Sequence, residues 1–268
     1  DVYVTATIGI ACFPMDGLDL EALLKHADTA MYSVKSLGRN GYTFYSSSMN
    51  QHAEQRFALE ADLRRALDRD EFMICFQPLI DLRTGAIVKA EALIRWHHPS
   101  LGLLPPVKFL QIVEDVGLGP RLGEWVLRAA CTQAKSWLAA GHTSIQLAVN
   151  LSDSQFHDGK LTDTVANVLA ETKFPSELLD FELTETIMFR SPEHAIATLQ
   201  SLRTLGVELS LDDFGTGFSS LRHLQQYPLN SLKIDQSFIR NIAENERDAA
   251  ITRMVIAMAH SLNLRTVA

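Results

Sequence analysis

The chain has 268 residues, of which 47% are hydrophobic and 21% charged, and its formal net charge is −8 at pH 7. This composition is typical of a globular protein long enough for one large barrel or two ordinary domains. The acidic charge argues against a DNA-binding protein, because such proteins attract phosphates through a surplus of Lys and Arg. The three cysteines, Cys12, Cys75 and Cys131, have no paired spacing, which favours a reducing cytoplasm. No apolar run approaches the roughly 18 residues of a membrane span.

The first fifty residues predict a strand, a helix and a strand. Residues 3–12 and 42–45 have strand-like compositions, and between them apolar residues recur at helical spacing from an N-cap at Asp19 to a C-cap at Gly38. Three elements of this size cannot bury a core of their own. We therefore expect this region to be the end of a domain whose front lies upstream.

A charged helical stretch, residues 51–67, is predicted to connect this region to the rest of the chain. Beyond it, apolar strand-like runs alternate with helical patterns. The runs are residues 72–79, 87–96, 145–150, 178–183, 207–211, 232–235 and one that starts at 264; the main helices are 122–140, 194–205 and 249–262. Regular alternation implies a mostly parallel sheet, either closed as a barrel or open and doubly wound.

Polar residues decide between these two architectures. They lie within or at the ends of five different predicted strands: Glu91, Asn150, Glu182, Asp212 and Lys233. A barrel whose strand ends converge on one mouth explains this distribution directly, whereas an open sheet usually binds its ligand at one crevice. The sequence therefore predicts an α/β fold with a TIM-like barrel.

Acidic residues cluster after two neighbouring strands, as Glu182 with Glu185 and as Asp212 with Asp213. Adjacent strand residues point to opposite faces, so both aspartates serve one site only where the strand gives way to a loop. Converging acids repel each other, and divalent cations are the usual remedy. Oxygen ligands favour Mg²⁺ or Mn²⁺ over Zn²⁺.

Each candidate also has a structural interpretation. Glu91 fits a buried ion pair about as well as a metal site, and Asn150 taken alone fits a turn cap better. Lys233, which we interpret as the only basic residue on the inner strands, is either a counter-ion or a group that positions or deprotonates a metal-bound water. His97 and His98 are expected in a solvated loop. On chemistry alone, an enolase-like barrel fits nearly as well.

The order of the motifs resembles the EAL family of cyclic di-GMP phosphodiesterases, from about Leu59 to Ala268. The matching motifs are Glu91-Ala92-Leu93, Asn150-Leu151-Ser152, Glu182-Leu183-Thr184-Glu185, Asp212-Asp213-Phe214-Gly215-Thr216-Gly217 and Lys233-Ile234-Asp235. The start of the chain is similar to the end of a GGDEF (diguanylate cyclase-like) domain. The resemblance implies a GGDEF remnant at residues 1–47, a helical linker at 48–58 and an EAL phosphodiesterase domain at 59–268.

This resemblance implies a (β/α)8 barrel that hydrolyses cyclic di-GMP to linear pGpG with two Mg²⁺ or Mn²⁺ ions in bacterial signalling. The implied metal ligands are Glu91, Asn150, Glu182, Asp212 and Asp213, with Asp212 bridging the ions. The implied catalytic residues are Lys233, beside the nucleophilic water, and Glu185, which holds the loop of residues 213–220. The implied substrate contacts are Gln77, Arg95, Gly215, Phe218, Ser219 and Asp235. The alternative is a catalytically inactive module that senses cyclic di-GMP or binds a partner.

The resemblance also implies context beyond the site. We expect the protein to be a cytoplasmic homodimer. We expect the parent chain to carry a sensor and a GGDEF domain upstream, and a membrane anchor upstream of these residues is compatible with this location. The family usually continues from a run like residues 266–268 into a segment that begins with Glu. We therefore expect the barrel to be incomplete at its C-terminus, so that either the sequence is part of an active parent protein or the fragment itself is inactive.

Overall fold

The computed structural model describes residues 5–36, 40–142, 145–189, 191–215 and 224–268. They form two compact units. The N-terminal unit comprises Asp1–Glu71 and Val107–Val116, and the sheet unit comprises Phe72–Pro106 and Gly117–Ala268.

The N-terminal unit has the predicted strand, helix and strand. Strand β1 (Thr7–Ile10) and strand β2 (Gly41–Phe44) are parallel neighbours, and helix α1 (Leu20–Ser36) connects them. Asp19 caps α1 as predicted, because its Oδ1 accepts a hydrogen bond from the amide of Ala22 at 2.8 Å. The predicted C-cap, Gly38, lies outside the described residues.

A long helix follows these strands. Helix α2 (Ser47–Ala66) covers the predicted connector except its last residue, Leu67, so the expected linker and the first residues of the expected EAL domain share one helix. Helix α3 (Leu110–Asp115) belongs to the same unit, and an ion pair between Arg56 and Asp115 joins the two helices.

The sheet unit is built on a single eight-stranded sheet. Its strands are β3 (Phe72–Ile80), β4 (Ile87–His98), β5 (Gly102–Leu104), β6 (Gln146–Asn150), β7 (Leu179–Thr184), β8 (Glu208–Phe214), β9 (Ser231–Ile234) and β10 (Arg265–Val267). The strand order is β10-β9-β8-β7-β6-β4-β3, with β5 beside β4. In this described sheet, only the pairings of β3 and β5 with β4 are antiparallel.

Helices connect the parallel strands. They are α4 (Gly119–Ala139), α5 (Asp153–His157), α6 (Leu161–Thr172), α7 (Glu185–Phe189), α8 (Pro192–Thr204), α9 (Gln236–Ile239) and α10 (Glu246–Ser261). Helix α8 shows why they cover the sheet: Ala195, Leu199 and Leu202 recur at helical spacing and are fully buried.

The central strands are buried on both faces. On β7, Leu179, Phe181 and Leu183 belong to the apolar core, while Asp180 and Glu182 alternate with them and are equally buried. Successive side chains of a strand point to opposite faces, so the acids lie on the face away from the apolar one. We call this second face the inner face.

The parallel strands, their connecting helices and the polar inner face identify an incomplete TIM-like α/β barrel, as predicted. Within the described residues, β10 and β3 each have one strand neighbour along the main order of the sheet. None of the described helices combines the length and apolar character that crossing a membrane requires.

The expectation for His97 and His98 was wrong. Strand β4 continues through both residues and pairs with β5. His98 is 5% exposed, and its Nδ1 accepts hydrogen bonds from the amides of Ser100 and Leu101 at 3.1 and 3.2 Å. The pairing with β5 extends β4 from the predicted end at Trp96 to His98, the residue directly before Pro99.

Candidate active site at the strand ends

Four charged side chains meet on the inner face, three of them near the carboxyl ends of their strands and one, Glu91, within the longer strand β4. They are Glu91 on β4, Glu182 on β7, Asp212 on β8 and Lys233 on β9, and we call them the upper layer. The ammonium of Lys233 lies 3.2 Å from Glu91 Oε2 and 3.2 Å from Asp212 Oδ1, and it forms an ion pair with Glu182. Three carboxylates therefore converge on one cation, as the barrel prediction required.

Burial and the charges of neighbouring side chains oppose each other in this cluster. The Glu182 side chain is fully buried, and this burial raises its pKa to about 8, although the charge of Lys233 opposes the increase. Burial alone lowers the pKa of Lys233, but the carboxylates of Glu182, Asp212 and Glu91 outweigh it and raise the pKa above its ordinary value. Lys233 is therefore a stable cation in this arrangement.

A bulge in β8 brings two consecutive aspartates to the cluster. Leu211 pairs with Leu232 and Phe214 with Ile234, so Asp212 and Asp213 together stand opposite the single residue Lys233. Asp213 has a left-handed backbone with φ of 53°. The sequence predicts a strand end at residue 211, but the strand continues through the bulge to Phe214.

The environment of Asp213 is strongly acidic. Burial raises the pKa of Asp213, and the negative charges of Asp212 and Asp235 raise it further. Its amide also donates a hydrogen bond to Asp212 Oδ1 at 2.9 Å. This site therefore holds more negative charge than its protein cation neutralises.

Asn150 joins the cluster instead of capping a turn. Its Nδ2 donates a hydrogen bond to Glu91 Oε1 at 2.8 Å. The following helix, α5, is capped by Ser152, whose side chain forms a capping box with Gln155. The cap interpretation of Asn150 is therefore replaced by a position in the site.

Glu185 holds the backbone that follows β8. Glu185 is 4% exposed, and its Oε1 accepts a hydrogen bond from the amide of Gly215 at 3.1 Å. Gly215 has φ of +104°, and a Cβ at this position would lie 2.8 Å from the ring of Phe238. Only glycine fits here, so Glu185 and Phe238 fix the start of the segment after the bulge.

The remaining described candidates lie on strands β3 and β4 and at the start of α9. Gln77 lies directly opposite Glu91 in the β3–β4 register, and Arg95 follows Glu91 by four residues on the same face of β4. Arg95 Nη1 donates a hydrogen bond to the carbonyl of Ile94 at 2.8 Å. Asp235 caps α9 through a 2.8 Å hydrogen bond from the amide of Ser237.

Two predicted substrate contacts cannot be placed. Phe218 and Ser219 lie outside the described residues, as does most of the segment of residues 213–220 that Glu185 was expected to hold.

The donor chemistry of the upper layer fits a divalent cation. Glu182 Oε1 is buried and has no hydrogen-bond partner among the described residues, so it offers an unused acceptor inside the cluster. In this structure the Lys233 ammonium takes the central position. Within the described ranges, no three Asp, Glu, His or Cys side chains are arranged to hold a metal ion by themselves. The oxygen atoms required are present, and they are gathered around the ammonium.

Sequence reasoning missed a second polar cluster below the upper layer. Lys89 lies on β4 in an ion pair with Asp180 on β7, so the interpretation of Lys233 as the only basic residue on the inner strands was wrong. The signal was present in the sequence: Lys89 precedes Glu91 by two residues, and Asp180 precedes Glu182 by two. Strand alternation places such pairs on one face.

Comparison with known families matches both parts of the chain. Residues 60–268 match the family described as "EAL domain", and residues 1–41 match "Diguanylate cyclase, GGDEF domain". The family matches agree with the resemblance seen in the motifs.

Several curated proteins are similar over nearly all of the chain. The bifunctional diguanylate cyclase/cyclic di-GMP phosphodiesterase MucR of Pseudomonas aeruginosa is 42% identical over 100% of this chain and 39% of its own length. The cyclic di-GMP phosphodiesterase NbdA of the same organism is 40% identical over 99% of this chain and 34% of its own length. The cyclic di-GMP phosphodiesterase PdeR of Escherichia coli is 37% identical over 100% of this chain and 40% of its own length. The chain thus spans about two fifths or less of these relatives.

Solved structures share the fold. The PaMucR phosphodiesterase in complex with c-di-GMP matches with a TM-score of 0.76 and 41% identity, covering 78% of this chain and 85% of that one. The EAL enzyme Bd1971, in its cAMP- and cyclic-di-GMP-bound form, matches with a TM-score of 0.75 and 29% identity, covering 80% of this chain and 59% of that one.

Proposed function

Because this chain belongs to the EAL domain family, we propose that it hydrolyses cyclic di-GMP to linear pGpG with Mg²⁺ or Mn²⁺. The observation that carries the proposal is the convergence of Glu91, Glu182 and Asp212 on Lys233 at the strand ends. Similar proteins named cyclic di-GMP phosphodiesterases, and the similar structure with c-di-GMP, support the substrate.

The proposal assigns the cation site to the oxygen atoms of Glu91, Asn150, Glu182, Asp212 and Asp213. Divalent ions held there would supply an activated water and offset the charge of the phosphodiester. The unused acceptor of Glu182 and the excess of negative charge around Asp213 support this assignment. The excess of negative charge also attracts cations. Bound cations would let this acidic protein accept an anionic substrate.

Lys233 has two roles in the proposal. As a cation within reach of three carboxylates, it orders the ligand set. During the reaction its ammonium would donate a hydrogen bond to the attacking water and orient it.

Glu185 is proposed to act on the segment after β8 through its hydrogen bond to Gly215. Gln77 and Arg95, on the Glu91 side of the inner face, are proposed to contact the substrate. Gly215, Phe218, Ser219 and Asp235 complete the proposed substrate contacts on the β8–β9 side.

We also propose the division of the chain into a GGDEF remnant at residues 1–47, a linker at 48–58 and an EAL domain at 59–268. The separate family matches support this division. A cytoplasmic homodimer with an upstream sensor in the parent chain is proposed on the family resemblance alone.

The test is cyclic di-GMP cleavage by the full-length protein in Mg²⁺ and in Mn²⁺, beside an Asp212→Ala variant. The proposal expects pGpG from the unmodified protein and none from the variant. Tight binding of cyclic di-GMP without cleavage would instead identify a sensor, and neither binding nor cleavage would reject both functions.

A further inference from the structure

Beneath the upper layer, the same four strands carry a second set of polar side chains, which we call the lower layer. Its members each precede an upper-layer residue by two positions on the same strand: Lys89, Asp180, Ser210 and Ser231. All four residues are buried, with exposures of 5%, 0%, 0% and 1% in that order. The proposed reaction uses none of them.

The lower layer is one connected network. Lys89 forms an ion pair with Asp180 Oδ2, and Ser210 Oγ donates to the same oxygen at 2.6 Å. The hydroxyls of Ser210 and Ser231 lie 2.5 Å apart and share a hydrogen bond. The network therefore links β4, β7, β8 and β9, which are the four strands that present the upper layer.

This network is expected to contribute little to the stability of the fold. A buried ion pair usually stabilises a protein no more than well-packed apolar residues of similar size would, because both charges lose their hydration. In addition, Asp180 Oδ1 is buried without a hydrogen-bond partner among the described residues, which is unfavourable for folding. The cross-strand geometry of the network therefore needs another explanation.

We propose that Lys89 and Asp180, with Ser210 and Ser231, are positioning residues for the upper layer. The ion pair fixes β4 relative to β7, and the two hydroxyls extend this constraint to β8 and β9. The network thereby sets the distances between the upper-layer side chains, each of which lies two residues further along its strand. This inference rests on the proposed function, because the geometry it protects is that of the cation and substrate site.

The test compares the full-length protein with a Lys89→Met/Asp180→Leu double variant, which replaces the ion pair with apolar side chains of similar size. Three quantities are measured: kcat and KM for cyclic di-GMP, Mn²⁺ affinity by electron paramagnetic resonance, and Tm. We expect a Tm close to that of the unmodified protein. We also expect kcat and Mn²⁺ affinity to fall roughly 10- to 100-fold, with KM little changed.

The matched control is Glu208→Gln, which breaks an ion pair between Glu208 and Arg265 on the same sheet. It should change neither kcat nor Mn²⁺ affinity. Unchanged kcat and Mn²⁺ affinity in a double variant that keeps its Tm would overturn the inference. If the double variant does not fold, Ser210→Ala decides by the same two measurements, with an expected loss of roughly tenfold.

The outcomes also separate this inference from the proposed function. An unmodified protein that binds Mn²⁺ without cleaving cyclic di-GMP would reject the proposed function, while the Mn²⁺ affinities of the variants would still decide the role of the lower layer. An unmodified protein that neither cleaves cyclic di-GMP nor binds Mn²⁺ would overturn both.

Discussion

The upper and lower layers lie on the same four strands, two residues apart, and their chemistry is opposite. In the upper layer, three carboxylates share one ammonium, and the side chains of Glu91, Asp212 and Lys233 are 14%, 17% and 15% exposed. In the lower layer, Lys89 and Asp180 pair one to one and are almost completely buried. Position along the strand thus decides whether a charge on the inner face is balanced within the protein or left available to ligands.

Glu182→Gln is expected to have the largest effect on the upper layer. The substitution removes a fully buried carboxylate with an unused acceptor, so the proposed cation site loses a central ligand. Because a catalytic metal ion contributes several kcal/mol to transition-state stabilisation, we expect kcat for cyclic di-GMP to fall roughly 1,000-fold. Glu208→Gln is the matched control, and activity of Glu182→Gln within tenfold of the unmodified protein would contradict the prediction.

Lys233→Met is expected to have the next largest effect. It removes the only cation of the upper layer and the proposed donor to the attacking water. We expect kcat to fall roughly 100-fold, the lower end of the range for general acid–base catalysis. Steady-state kinetics beside Lys135→Met, an exposed lysine on α4, measure the difference; equal rates for the two variants would show that Lys233 is only a counter-ion.

Glu185→Gln should have a smaller effect. The side-chain amide oxygen of the new glutamine can still accept the hydrogen bond from the backbone N–H of Gly215, but it lacks the negative charge that strengthens this bond. We expect a loss of about tenfold in kcat, from looser positioning of the segment after the bulge. Glu193→Gln, at an exposed position of α8, is the control. A full loss of activity would instead indicate that Glu185 contacts the reacting groups.

Glu208→Gln should have the smallest effect. Glu208 lies on β8 below both layers, and its ion pair with Arg265 is solvent-accessible, with side-chain exposures of 21% and 54%. Partly exposed pairs contribute up to about 1 kcal/mol, so the free energy of unfolding in urea should change by less than that. A larger change would contradict the expectation that a partly exposed ion pair on this sheet contributes little to the free energy of unfolding.

Much of the fold could be predicted from the sequence. The alternation of apolar runs with helical patterns located every strand of the sheet unit except the short β5, which has only three residues. Strand ends were less accurate where tertiary pairing intervened. The pairing of β4 with β5 extends β4 through His98, and the bulge extends β8 to Phe214.

The candidate site was also largely predictable, because Glu91, Glu182, Asp212 and Lys233 all lie within or near the ends of strands of one barrel. The role of Asn150 could not be decided from its own surroundings, since a turn cap and a site contact use the same residue type. The lower layer was missed for a different reason. Lys89 and Asp180 each precede an upper-layer residue by two positions, so strand alternation places them on the same face, but their pairing depends on the register of β4, β6 and β7.

The most direct test of the central claim is metal removal. The full-length protein would be stripped of divalent ions with a chelator and incubated with cyclic di-GMP, and the nucleotides would be separated by chromatography before and after addition of Mg²⁺ or Mn²⁺. A two-metal site in the upper layer predicts no cleavage without metal and formation of pGpG after either ion is added. Cleavage at an unchanged rate in excess chelator, or no cleavage after metal addition, would contradict it.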